Sequence, residues 1–88
     1  MDETVENRRK RLRFRSWHRG TRELDLLLGG FADAHLGRMS PDQLDCYEAL
    51  LRNPDPEIYS WISGDEPRPV PYDCEIADLI KNFIYRAL

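Results

Sequence analysis

The chain has 88 residues, of which 41% are hydrophobic and 33% charged; 13 basic and 16 acidic residues give a formal charge of −3. That length and mixture predict one small soluble globular domain over residues 1–88 and exclude a disordered chain. No apolar run approaches the ~18–20 residues of a membrane span, and so short a chain builds one thin core rather than a fold enclosing a large cofactor.

The first predicted helix runs from about Thr4 to Ser16, with Val5, Leu12 and Phe14 as sparse apolar points. It is strongly basic. From Met1 to Glu23 eight bases face four acids, a net of +4, whereas from Leu24 to Leu88 five bases face twelve acids, a net of −7. No acid lies between Arg8 and Arg22, an asymmetry that marks a contact surface for an acidic partner. The second helix, about Thr21 to Leu36, places Leu24, Leu27, Leu28 and Phe31 on one face. Gly29-Gly30 interrupts it, which predicts a kink or the close approach of another backbone. Ser40-Pro41-Asp42-Gln43 then reads as an N-cap, a proline in the first turn and a glutamine reaching back. Leu44, Tyr47, Leu50 and Leu51 line the third helix until Asn53-Pro54 ends it.

A short fourth helix, about Pro56 to Ser63, carries Ile58, Tyr59, Trp61 and Ile62. Pro67, Pro69 and Pro71 make the 65–71 linker extended and stiff. The last helix, about Tyr72 to Ala87, aligns Ile76, Leu79, Ile80, Phe83 and Ile84. The fold class is all-α, a compact five-helix bundle with a radius of gyration near ~12 Å.

Catalytic constellations are scarce. There is no glycine-rich phosphate loop, no His-Glu-x-x-His and no Gly-x-Ser-x-Gly. Cys46 and Cys74 fit neither a redox pair nor a zinc site and read as small core residues. An acidic start without an apolar stretch reads as neither a secretory signal nor a transit peptide, so a reduced cytoplasmic setting is expected. The informative stretch is Arg15 to Asp25, which gathers charge, an aromatic and a glycine where one helix hands over to the next. On a continuous helix Arg19 and Glu23 are spaced to pair, but that order contributes only ~0.2–0.5 kcal/mol. Displayed together, they suit recognition of a partner's polar groups better than stability. Trp17 reads equally as an interface residue or a buried one. A nucleic-acid-binding module using the basic 8–22 segment is the rival reading, with Phe14 or Trp17 stacking on bases. The −7 on the rest of the chain opposes it.

Arg19-Gly20-Thr21-Arg22-Glu23, continuing into Leu24-Asp25-Leu26, resembles the Arg-Gly-x-x-Glu hallmark of the succinate dehydrogenase assembly factor 2 family, also called FAD assembly factors. Phe31, the Ser40-to-Tyr47 helix start and the Pro54-Asp55-Pro56-x-Ile58-Tyr59-x-Trp61 block extend the likeness over nearly the whole chain. The resemblance implies a bacterial cytoplasmic chaperone rather than an enzyme, monomeric when free and without a cofactor of its own. Such a factor binds the flavoprotein subunit of succinate dehydrogenase, or of fumarate reductase, and promotes covalent attachment of FAD to a histidine there. Carried over residue by residue, it makes Arg19, Gly20 and Glu23 the functional patch. Arg15, His18 and Arg22 are expected to add adjacent contacts and steering. Arg19 and Glu23 would then anchor the partner, so that substituting either spares folding and abolishes flavinylation support. Thr21 stands where the family commonly has methionine, and Gly29-Gly30 where members often have proline.

Overall fold

In the computed structural model, which describes residues 3–62 and 75–87, α1 (Val5–Trp17), α2 (Arg22–His35) and α3 (Pro41–Leu51) each begin one residue after a Ser or Thr. The Thr4 hydroxyl accepts from the Asn7 amide at 3.1 Å and the Thr21 hydroxyl from the Leu24 amide at 3.3 Å. At Ser40 the expected capping box is complete: its hydroxyl accepts from the Gln43 amide at 3.2 Å, and its own amide donates to Gln43 Oε1 at 2.9 Å. These contacts satisfy amides that a helix start otherwise leaves without partners. A short 3-10 turn, Leu36–Arg38, follows α2. Two further helices, α4 (Asp55–Ile62) and α5 (Glu75–Ala87), complete the expected five-helix all-α bundle, whose Cα radius of gyration is 12.2 Å. α4 starts at Asp55, one residue before the sequence-based boundary, and α3 stops at Leu51, just ahead of the expected Asn53-Pro54 break. The proline-rich linker at 65–71, Cys74 and the first residues expected for the last helix lie outside the described residues.

The predicted apolar faces form one core. Leu24, Leu28 and Phe31 of α2 meet Leu44, Tyr47, Leu50 and Leu51 of α3, Ile58, Trp61 and Ile62 of α4, and Ile76 and Ile80 of α5. Leu27, Cys46, Leu79 and Phe83 pack against it from the edge. α1 contributes less apolar surface, chiefly Leu12, together with the buried Ser16. The Ser16 hydroxyl donates to the Leu12 carbonyl at 2.7 Å and meets the Tyr47 hydroxyl at 2.6 Å. Tyr47 in turn reaches the Leu28 carbonyl at 3.4 Å, so one polar chain joins α1, α2 and α3 inside the core. Burial pushes the Tyr47 phenol far above its ordinary range, so it stays a neutral donor.

Gly29-Gly30 does not break the helix, since α2 is continuous through both. Nor is the close neighbour a backbone, as the sequence suggested. The Trp17 ring lies directly on Gly29, where a Cβ would fall inside the indole, and its Nε1 donates to Asp33 at 3.3 Å. The glycine is the seat of an aromatic side chain that docks the end of α1 on α2.

Candidate functional site

The Arg-Gly-x-x-Glu segment forms the turn between α1 and α2, and its parts have different tasks. Gly20 has φ +124°, a conformation that L side chains rarely adopt, and a Cβ there would lie 3.2 Å from Asp55 Oδ2. Thr21 caps α2. The Arg19 amide donates to Asp25 Oδ1 at 2.6 Å, folding the turn back on the first turn of α2.

The Arg19 side chain, only 10% exposed, turns inward and clamps the α3–α4 junction. Its Nε donates to Asp55 Oδ1 at 3.0 Å, one terminal nitrogen to the Leu51 carbonyl at 2.6 Å and the other to the Asn53 carbonyl at 2.9 Å. These acceptors are available because α3 ends there. Asn53 folds its amide nitrogen back onto the Ala49 and Leu50 carbonyls at 3.2 and 3.0 Å, leaving the later carbonyls to Arg19. A planar guanidinium matches this spread of acceptors, which an ammonium does not. Arg19 is thus not on a continuous helix with Glu23, and its partner is Asp55. The expectation that the Arg19 side chain is displayed for a partner gives way to a clamp whose donors are engaged inside the chain.

Glu23 is exposed in the first turn of α2, with no ion pair among the described residues. It stands at the rim of an open hollow of about 280 Å³ lined by Thr21, Glu23, Leu24, Asp55, Pro56 and Tyr59. The clamp therefore brings two separate sequence blocks, 19–25 and 54–59, to one place. Asp25, Asp55, Pro56 and Tyr59 were not among the sequence-derived site residues. Asp25 stood in the continuation of the motif and the other three in the Pro54-to-Trp61 block, both read there as family features and not as part of the site.

Arg15, His18 and Arg22 are not among the residues that line this hollow. Arg22 is exposed at the start of α2, and Arg15 is half-buried in the last turn of α1. His18, exposed at the end of α1, stacks on Phe14 at 4.1 Å between ring centres and donates through Nδ1 to the Phe14 carbonyl at 2.7 Å. Trp17 is half-buried.

Much of the basic segment is answered within the chain. Arg8 pairs with Asp45 at 2.6 Å and Glu48 at 3.0 Å, and Arg11 with Glu3 at 2.9 Å and Glu48 at 3.1 Å. Arg13 meets Asp33 at 3.3 Å, and Arg9 donates to the Met39 carbonyl at 2.9 Å. The Arg11 hydrogen bond, aided by Arg8 and opposed by burial, holds the Glu48 carboxyl below its ordinary value. For Arg8 and Arg11 the acidic partner is α3 of the same chain, which weakens the case for a nucleic-acid grip.

The family model described as flavinator of succinate dehydrogenase matches residues 10–84. The FAD assembly factor SdhE of Acetobacter pasteurianus is 43% identical over 68 residues, covering 77% of this chain and 62% of that protein. The mitochondrial succinate dehydrogenase assembly factor 2 of Dictyostelium discoideum is 37% identical over 78 residues, covering 89% of this chain and 55% of its own length. The corresponding Danio rerio protein is 39% identical over 83 residues, with 92% and 52% covered. This chain thus spans between 52% and 62% of the length of these relatives. Among the described residues no helix is long and apolar enough to cross a membrane.

Proposed function

The chain belongs to the flavinator of succinate dehydrogenase family, and from that premise we propose that it binds the flavoprotein subunit of succinate dehydrogenase and promotes covalent attachment of FAD to it. The observation that carries the reading is the family match over residues 10–84, which includes the whole Arg19-to-Glu23 turn and the Asp55-to-Tyr59 wall facing it. The related fumarate reductase subunit is a second client of the same kind. The factor acts as a chaperone and not as an enzyme, as a free monomer in the bacterial cytoplasm, and FAD is held by the client.

The geometry supports this division of labour. The hollow at the turn is open, and the sequence carries no glycine-rich dinucleotide fingerprint. Binding energy is instead used on the client: contact at the turn shifts the immature flavoprotein toward the conformation that holds its acceptor histidine against the flavin. Gly20 and Arg19 build the surface, Glu23 presents a carboxylate from it, and Arg15, His18 and Arg22 flank it and steer the encounter.

The test is complementation of a strain lacking its own factor, read as covalent flavin on the denatured flavoprotein subunit. The wild-type chain is expected to restore the signal. Glu23→Ala, at full cellular abundance, is expected to leave it near the uncomplemented level. Full restoration by Glu23→Ala would remove Glu23 from the site.

A further inference from the structure

The hollow beside Glu23 has a second wall, and α4 supplies it. Ile58, Trp61 and Ile62 of α4 enter the core, whereas Tyr59 points away from it and is 50% exposed. Tyr59 and the exposed Pro56 line the hollow together with Thr21, Glu23 and the buried Leu24. Two carboxylates reach this space. Asp55 is engaged by Arg19, while Glu23 has no ion pair among the described residues. The result is a mostly apolar cleft lined by an aromatic ring and by one carboxylate that has no ion pair among the described residues.

We propose that this cleft is a docking pocket for a basic side chain, arginine or lysine, projecting from the flavoprotein partner, with Tyr59 and Pro56 covering its stem and Glu23 receiving its charged head. The proposal rests on the reading of the chain as a flavoprotein-binding factor and names the chemistry of that contact. Long basic side chains combine an apolar stem with a cationic tip, the same pairing of surfaces the cleft presents. A cation near the Tyr59 ring gains a further attraction to the aromatic face. An anion is the poorer match. The N-termini of α2 and α4 favour negative charge, but Glu23 and Asp25 in one first turn and Asp55 and Glu57 in the other already meet that preference. Both walls are fixed in advance, because Arg19 ties the 19–25 turn to the α3–α4 junction, so little ordering accompanies binding.

Affinity for the purified flavoprotein subunit, measured at low and high salt, tests the pocket. Tyr59→Ala is expected to weaken binding about tenfold or more, the scale of an aromatic interface anchor, and Tyr59→Phe to bind within about twofold of wild type. Glu23→Gln is expected to weaken binding and to flatten its salt dependence. The double variant Tyr59→Ala/Glu23→Gln is expected to lose less than the sum of the two, because both residues hold one side chain. Unchanged thermal midpoints establish that the exposed substitutions act at the interface. Wild-type binding with Tyr59→Ala equally tight, or with salt dependence untouched by Glu23→Gln, would overturn the pocket while leaving the flavoprotein reading intact. Absence of wild-type binding would overturn both.

Discussion

Arg19 and Glu23 belong to one motif but have separate physical roles. Removing the Arg19 guanidinium leaves Asp55, 17% exposed, without its counter-charge and the Leu51 and Asn53 carbonyls without their donor. Arg19→Ala is therefore expected to lower unfolding free energy by about 2–3 kcal/mol, measured as a shift in the urea midpoint. Arg19→Lys recovers only part of it, since a single ammonium does not span three acceptors. Glu23→Ala leaves the midpoint near wild type, so the two variants separate on stability even where both lower flavinylation. An unchanged Arg19→Ala midpoint would refute the clamp. The motif itself was legible in the sequence, but not this division of labour. The acceptors of Arg19 lie 32 to 36 residues further along, and two of them are main-chain carbonyls, which no side-chain pattern marks. Gly20 was legible as a turn; that its missing Cβ also admits Asp55 depends on the same distant junction.

At the scale of helices, the apolar faces of α2 and α3 and the Ser40 capping box followed directly from spacing, because local periodicity decides them. The packing of α1 did not. With little apolar surface, α1 is held by the polar Ser16–Tyr47 link, by Trp17 seated on Gly29 and by Arg8 and Arg11 around Glu48 of α3. Each of these joins residues far apart in the chain, so the basic run read as a contact surface for an acidic partner and the glycine pair as a kink or the close approach of another backbone. The Glu48 contact has a pH signature. Its carboxyl is held below the ordinary value of 4.5 in the folded chain, chiefly by the Arg11 hydrogen bond. The stability it adds is complete above that value and is lost as pH falls through the lower folded value. Glu48→Gln is thus expected to be less stable than wild type at neutral pH, with the gap narrowing below about pH 4.5. Denaturation midpoints across the acid range check this, and a gap that stays constant with pH would contradict it.

For the molecule as a whole, the net charge of −3 conceals a basic first quarter and an acidic remainder. Folding sets part of the first against part of the second, through Arg8 and Arg11 on Glu48 and Arg19 on Asp55. The same contacts bring the 19–25 turn and the 54–59 segment together around a shallow cleft. The most direct measurement is reconstitution of covalent flavin on purified apo-flavoprotein subunit with excess FAD, with and without this chain, followed by in-gel flavin fluorescence after denaturation. The account predicts that the wild-type chain accelerates flavinylation and that Glu23→Ala, folded as stably as wild type, does not. Equal rates with wild type, with Glu23→Ala and with no added chain would contradict it.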